Sequence, residues 1–273
     1  MTRTNPNGLR ARQRLGKYRI VRRLGEGGFA TVYAAADTIE GINVAIKVPF
    51  GHYMSDEVKD WFRQEVRLAA RLEHPNILGV KDASVIDDRF VIVTLLGQRS
   101  LHDRLKNRVS VETALSFASQ MISAVACAHE HNIVHCDIKP DNFILFDDAR
   151  IRLADFGIAK VSRKTIEASG TGTVGHMAPE QAMGKPSFRS DVFSLGLIIY
   201  RMLSGSWPEY PFEWPPVGVS KMRKKHVHPE VISFLRKAMQ LKPRDRFSNA
   251  SKMEEVFTPL HVKAIRHLRK KRG

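Results

Sequence analysis

Three side chains in the stretch "NIVHCDIKPDNFIL" stand close enough to act together: Asp137, Lys139 and Asn142, an acid, a cation and an amide. Such a trio suits metal-assisted movement of a phosphoryl group, which asks a protein mainly for positioning and charge neutralisation. A second acid, Asp155, follows in "DFG", where an apolar residue and a flexible joint come after it. Upstream, "VAIK" puts Lys47 in an otherwise apolar strand. A lysine buried there needs a partner or it loses its charge. The next helix offers Glu65 on its inner side. Further upstream, "GEGGF" holds Gly25, Glu26, Gly27, Gly28 and Phe29. Glycines let backbone N–H groups approach a phosphate without Cβ interference. This loop lies between two strand patterns, which argues against a dinucleotide fingerprint, since that motif opens a helix. Each feature has a plain reading when taken alone: a hairpin that needs glycine, a snorkelling lysine, a tripeptide that recurs by chance.

The elements that must position these groups fall into two halves. From Tyr18 to Phe50, "YRIVRRLG", "ATVYAAAD" and "INVAIKVPF" read as strands broken by glycine. "SDEVKDWFRQEVRLAARL" reads as a helix with Ser55 or Asp56 as cap and Val58, Phe62, Val66 and Ala69 on one stripe. "RFVIVTLL" reads as a buried strand, with a hinge at Thr94–Gln98. The remainder is helical: "VETALSFASQMISAVACAHEHN" is apolar all round and so interior, and "SDVFSLGLIIYRMLSG" and "PEVISFLRKAMQ" are further helices. The segregation of strands from helices implies an α+β class with two lobes.

The chain of 273 residues carries a net charge of +16. Residues 1–23 contribute +8 and residues 217–273 contribute +12, which leaves −4 in between. Basic ends of this kind can attract an acidic protein, an anionic surface or nucleic acid, or can simply be solvated. Two cysteines, Cys127 and Cys136, make no disulfide framework and point to a reducing compartment. No apolar run approaches the roughly 18 residues of a membrane span, and the basic N-terminus lacks an apolar signal core, so a cytoplasmic location is expected.

In order, the chain presents GxGxF, VAIK, a helical Glu, HxDxKxxN, DFG, APE (Ala178–Glu180), "SDVFSLG" and a late Arg246 in "KPRDRFS". Over about residues 18–258 this resembles the protein kinase superfamily. Lys139, and Gly172 with Thr173, look like the serine/threonine branch, and "GTVGHMAPEQ" looks most like bacterial kinases of the eukaryotic type. The resemblance implies a bilobal fold with a small β-rich N-lobe holding one main helix and a larger α-helical C-lobe. The expected division is a basic flexible arm (1–17), N-lobe (18–96), C-lobe (97–258) and a basic C-terminal helix or tail (259–273). ATP and Mg²⁺ are the implied cofactors. The Gly25–Phe29 loop would cover the phosphates, and Lys47, oriented by Glu65, would hold the α- and β-phosphates. Val32, Ala45 and Ile144 would enclose adenine with Val93 behind it, and the backbone of Thr94–Leu96 would read its edge. Asn142 and Asp155 would bind Mg²⁺, Asp137 would orient the acceptor hydroxyl, Lys139 would steady the γ-phosphate, and Thr173 would brace Asp137. Glu180 and Arg246 look like a structural ion pair.

The chain departs from the family pattern at four places. Ala30 replaces a third loop glycine, His176 stands where an aromatic is usual, Ala69 is small, and Cys136 replaces an arginine that can clamp a phosphate on the activation segment. The plain reading of Cys136 is a small buried hydrophobe. A protein with a Ser or Thr acceptor is the implied substrate, and the alternative is a pseudokinase or scaffold module. Nucleic acid is not an expected partner, since zinc-finger spacing and aromatic-rich strand motifs are both missing. "TPLHVKAIRHLRKKRG" is expected to begin a helix with Thr258 as cap and Pro259 at the first position. Its apolar arc is Leu260, Ala264, Ile265 and Leu268. Its basic face, with Lys263, Arg266, Arg269 and Lys270, invites an acidic partner or anionic surface.

Overall fold

Alternating apolar residues make strands of the N-terminal segments. In chain order these are β1 (Arg14–Leu15), β2 (Tyr18–Glu26), β3 (Ala30–Asp37) and β4 (Ile42–Pro49). The helix α1 (Asp56–Ala69) follows, then β5 (Val80–Ile86) and β6 (Arg89–Leu95). The strands form one antiparallel sheet of order β1-β2-β3-β4-β6-β5. The computed structural model describes residues 8–27, 30–50, 56–147, 149–156, 177–209 and 212–272. The chain divides into a first unit, Met1–Glu73 with Leu78–Gln98, and a second, His74–Ile77 with Arg99–Gly273.

In the first unit one face of the sheet buries Tyr33, Ala35, Val44, Ile46, Val91 and Val93. On the other face Ala30 and Ile92 meet Phe62 of α1, with Val66 packed alongside. This assigns the expected α1 stripe to the sheet. Ser55, its expected cap, and the side chain of Val58 lie outside the described residues. Residues 8–17 are not the flexible arm expected. Leu9 and Leu15 are buried in the sheet's core, and the N–H of Leu9 donates to the Tyr33 hydroxyl at 3.0 Å. The N–H of Arg12 donates to the Ile20 carbonyl at 2.8 Å. Two leucines among basic residues suffice, since full burial of each stabilises by about 1.5–3 kcal/mol.

The second unit holds β7 (Arg99–Ser100), α2 (Leu101–Arg104), α3 (Val111–Glu130), β8 (Phe143–Leu145) and β9 (Ile151–Leu153). Then come α4 (Pro179–Ala182), α5 (Phe188–Ser204), α6 (Gly218–Lys224), α7 (Pro229–Ala238) and α8 (Ala250–Arg272). Strands β7, β8 and β9 pair in that order. Ser110 caps α3 by accepting the N–H of Thr113 at 3.0 Å. By length and composition α3 could cross a membrane, but most of it is buried inside this unit, as an interior helix should be. The segment His74–Ile77 belongs here, although the sequence placed it within an unbroken N-lobe. The reason is Asn76: its amide donates to Gln120 at 2.8 Å and to the Ile151 carbonyl at 2.9 Å, and its own carbonyl accepts the N–H of Leu153.

The C-terminus also differs from expectation. Thr258 is no cap and Pro259 no first turn, because α8 runs unbroken from Ala250 with Pro259 inside it. An interior proline costs roughly 3 kcal/mol in a helix, and packing must offset that. Phe257, Leu260, Ala264 and Leu268 are all buried, and the helix lies against α3. The expected apolar arc is therefore core, with Ile265 half-buried at its margin.

Glu180 and Arg246 form the expected ion pair, with Nη1 and Nη2 reaching Oε1 and Oε2 at 2.7 and 3.0 Å. Arg246 also donates to the carbonyls of Arg189, Gln240 and Leu241, so all five of its N–H donors are used. Burial opposes the charge on Glu180, but hydrogen bonds from Arg246 and Ser190 outweigh it and hold the carboxyl below its ordinary pKa.

Two outcomes follow from this packing. Leu268→Ala should destabilise the protein by about 2–5 kcal/mol, the range for a buried leucine, and deletion of residues 261–273 should lower the melting temperature clearly. Thermal denaturation checks both. Arg246→Met strands a buried carboxylate and should cost about 3–5 kcal/mol. The depressed Glu180 pKa gives the sign with pH: the pair's stabilisation is present above the ordinary carboxylate pKa of about 4.3 and is lost as pH falls through the folded value. Urea midpoints of wild type and variant should therefore converge in acid.

Candidate active site

In the first unit, β2 and β3 close on the glycine loop, where the N–H of Gly27 donates to the Ala30 carbonyl at 2.9 Å. Gly28 and Phe29 lie outside the described residues. Gly25 pairs with Val32, so a side chain at 25 would project from the face that carries Val32. No atom of the described residues lies within 4 Å of such a Cβ, and at Gly27 the nearest is the Ala30 carbonyl at 3.8 Å. Neither glycine has a left-handed backbone. Packing against the described residues and backbone geometry thus do not require glycine at either position. Ala30, in place of the third glycine, has its methyl group buried against Phe62 and Ile92.

Strand register sets the rest of this face. Val32 pairs with Lys47, Ala34 with Ala45, Ala45 with Thr94, and Lys47 with Ile92. Lys47 Nζ donates to Glu65 Oε1 at 2.8 Å and Oε2 at 3.1 Å, with both side chains largely buried. The same Nζ lies 5.7 Å from the centre of the Phe62 ring. Val93 does not belong to this face. It pairs with Ile46, and both are fully buried in the core on the opposite side. The residue on the Lys47 face is Ile92. Side chains alternate along a strand, so a reading off by one residue changes face. Thr94 is paired on both sides, with Ala45 and Val80, while Leu96 lies beyond the end of β6 and outside the ladder.

In the second unit, Asp137, Lys139 and Asn142 come together. Asp137 Oδ2 accepts from Lys139 Nζ at 2.8 Å and from Asn142 Nδ2 at 3.0 Å. Asn142 Nδ2 also donates to the Asp137 carbonyl at 2.8 Å. Both amide hydrogens of Asn142 therefore serve Asp137, and its Oδ1 is the atom left for a ligand. The Asn142 carbonyl accepts the N–H of Ala154 at 2.8 Å, which places Asp155 next in the chain. Asp155 has φ of 64°, a left-handed conformation uncommon for an aspartate. An amide oxygen and a carboxylate are the hard donors that suit Mg²⁺. Ile144 is half-buried in β8. Thr173 and His176 lie outside the described residues.

The loop carrying Asp137 is held from below by residues the sequence reading missed. Asp191, in the first turns of α5 and 1% exposed, accepts the N–H of His135 at 2.8 Å and of Cys136 at 2.9 Å. It also accepts Nε2–H of His129 at 3.0 Å. His135 Nδ1 accepts the N–H of Asp137 at 3.2 Å, so its proton sits on Nε2, which faces the Ala154 carbonyl at 3.0 Å. Its ring packs edge-on against buried Phe156 with centroids 4.9 Å apart. Gln181, beside Glu180, donates to the Cys136 carbonyl. The one available signal was an acid opening an otherwise apolar helix in "SDVFSLG". Cys136 is half-exposed with φ of 63°, not a buried hydrophobe. Its position is set by backbone bonds to Asp191 and Gln181, and its Sγ lies 3.6 Å from the Val134 carbonyl.

Comparison with known proteins matches this arrangement. PrkC of Bacillus subtilis, a serine/threonine-protein kinase, is 36% identical over 201 residues, covering 71% of this chain and 31% of its own. PknA of Mycobacterium tuberculosis, another serine/threonine-protein kinase, is 35% identical over 206 residues, covering 71% of this chain and 48% of its own. The chain thus spans less than half the length of either relative. The kinase domain of PknI from Mycobacterium tuberculosis aligns with a TM-score of 0.70 at 25% identity, covering 92% of this chain and 98% of that one. Residues 18–258 match the family model for the protein kinase domain, and with the lysine–glutamate pair and the Asp137 cluster both assembled, the chain belongs to the protein kinase family.

Proposed function

We propose that this chain is an ATP-dependent serine/threonine protein kinase that transfers the γ-phosphoryl of ATP to hydroxyls of a protein substrate. The observation that carries the reading is the Asp137 cluster. Lys139 and Asn142 occupy one oxygen of the carboxylate, and among the described residues no hydrogen bond takes up Oδ1. That oxygen can accept and orient a substrate hydroxyl, while Lys139 stands beside it to meet the negative charge of the γ-phosphate. Gly25 and Gly27 admit phosphates close to the backbone, and Lys47, held in place by Glu65, meets the α- and β-phosphates. Val32 and Ala45 offer an apolar surface of the first unit for adenine, and Leu96 the backbone that reads its edge; Ile144 is assigned to the same ligand from the family resemblance alone. Asn142 Oδ1 and Asp155 are the groups that would hold Mg²⁺, which when bound neutralises phosphate charge. Retention of Lys47, Glu65, Asp137, Asn142 and Asp155 in two formed arrangements weighs against a pseudokinase. Serine/threonine specificity rests on Lys139 and on the kind of relatives the chain has.

Asp155→Asn should abolish phosphate transfer from ATP to a generic protein acceptor while leaving the circular dichroism spectrum unchanged. Lys47→Met should also abolish it, and should lower the melting temperature because Glu65 stays buried without its cation. Asp137→Asn should reduce kcat by about 10²–10⁴, the usual loss with a positioned acid–base group. Transfer at the wild-type rate by Asp155→Asn or Lys47→Met, or transfer that persists without Mg²⁺, refutes these roles.

Regulation follows from Cys136. A thiol cannot make the charge-assisted contact by which an arginine holds a phosphate. Phosphorylation at Ser169 or Thr171, which lie outside the described residues, should therefore change basal activity little. Phosphatase-treated and untreated protein should transfer phosphate at similar rates. A tenfold loss on dephosphorylation, about 1.4 kcal/mol of barrier, would show that another group does the clamping.

A further inference from the structure

A groove between α7 and α8 is lined by none of the residues proposed for phosphoryl transfer. It consists of two adjoining cavities that share Pro259 and Lys263. One, of about 520 Å³, is walled by Phe234, Phe247 and Val256. The other, of about 450 Å³, is walled by His228, Arg266, His267 and Lys270. Apolar side chains are concentrated in the first cavity, where Lys237 lies over the Phe247 ring, and basic ones predominate in the second. The two cavities meet where Lys263 pairs with Glu230. At the basic end His228 caps α7, accepting the N–H of Glu230 at 3.2 Å, and its ring lies edge-on to His267 at 5.0 Å. Pro259 forms part of both walls and is exposed. Having no N–H, it leaves the Glu255 carbonyl one turn earlier without its helical donor. The core does not require that proline, since α8 packs inward through Leu260, Ala264 and Leu268.

We propose that this groove docks an extended peptide segment in which an apolar anchor is followed by acidic residues. The anchor enters the Phe247–Val256 end, and the acids meet Arg266 and Lys270 and compete with Glu230 for Lys263. The alternation of character along the groove is what selects a peptide. A bilayer presents a flat face, whereas here the apolar wall is recessed. Single-stranded nucleic acid needs exposed rings on which to stack, whereas Phe234 and Phe247 are each 4% exposed. In such an interface a seated anchor carries most of the affinity, and rim charges set the on-rate and the salt dependence.

The inference concerns binding and holds whether or not the chain transfers phosphate. Its test is fluorescence anisotropy with the full chain and a fluorescein-labelled peptide, one leucine followed by a run of glutamates. The peptide should bind with an affinity that falls as salt rises. Replacing its leucine with serine should weaken binding. The double variant Arg266→Glu, Lys270→Glu and the single variant Val256→Asp should each raise Kd about tenfold or more. Melting temperatures should not move, because these side chains are exposed. No binding by the wild type, or an unchanged Kd in both variants, overturns the proposal. So does tight binding of phosphatidylserine vesicles or single-stranded RNA that the peptide cannot displace, which would make the surface one for lipid or nucleic acid.

Discussion

The buried carboxylate of Asp191 sets the shape of everything around Asp137. A carboxylate removed from water must be compensated by donors, and three N–H groups supply them: His135, Cys136 and His129. Two of the three are consecutive backbone amides. Aiming both at one carboxylate bends the chain sharply, and Cys136 takes a left-handed φ of 63°. Such a conformation costs of order 1–3 kcal/mol. Hydrogen bonds to a charged group contribute about 1.5–3 kcal/mol each, so the anchor exceeds the strain it imposes. The next residue in the chain is Asp137. The Asp137 carboxylate is therefore placed by backbone geometry, and the side chain at 136 is not what orients it. The anchor runs through the backbone amide of residue 136 and does not involve its side chain, so the Asp137 cluster forms with Cys136 in place.

The same anchor reaches outward. The other ring nitrogen of His129 accepts the N–H of Ala250, the first residue of α8, at 2.9 Å. Gln181 ties the Cys136 carbonyl to α4, and Glu180 beside it is held by Arg246. Three parts of the second unit far apart in sequence thus converge on one loop. In the first unit a single pair does comparable work. Lys47 and Glu65 are both largely buried, and their ion pair ties α1 to β4. Among the described residues, the glycines at 25 and 27 leave the end of the sheet uncrowded.

How much of this was legible follows from the range over which each interaction acts. The two-part α+β arrangement and the residues of the Asp137 cluster could be read, because strand alternation and short motif spacing are local properties. Val93 was misplaced because apolar runs such as "VIV" hide the alternation that tells one face from the other. Only the pairing of Ile46 with Val93 and of Lys47 with Ile92 resolves it. Leu9 and Leu15 were masked by the arginines around them. Asp191, His129 and Gln181 could not have been assigned roles, since their partners lie 45 to 62 positions away in the chain. Asn76 is a further case, with partners 44 and 75 positions distant. No periodicity encodes contacts of that kind.

The C-terminal helix shows why charge and packing must be weighed on separate faces. Read as a tail, its lysines and arginines dominate and suggest a loose basic extension. Read as a helix, Phe257, Leu260, Ala264 and Leu268 recur at three- and four-residue steps and belong to the core. Propensity alone would have started the helix at Pro259, where a missing N–H does no harm. Tertiary burial overrides that preference. The residues before Pro259, Met253 and Phe257 among them, are already buried on the same side, and breaking the helix would withdraw one set or the other from the core. The proline is accommodated on the exposed face, and the basic side chains that share that face project from a helix whose other side is packed into the core. Their charge is therefore carried by a packed helix and not by a loose tail.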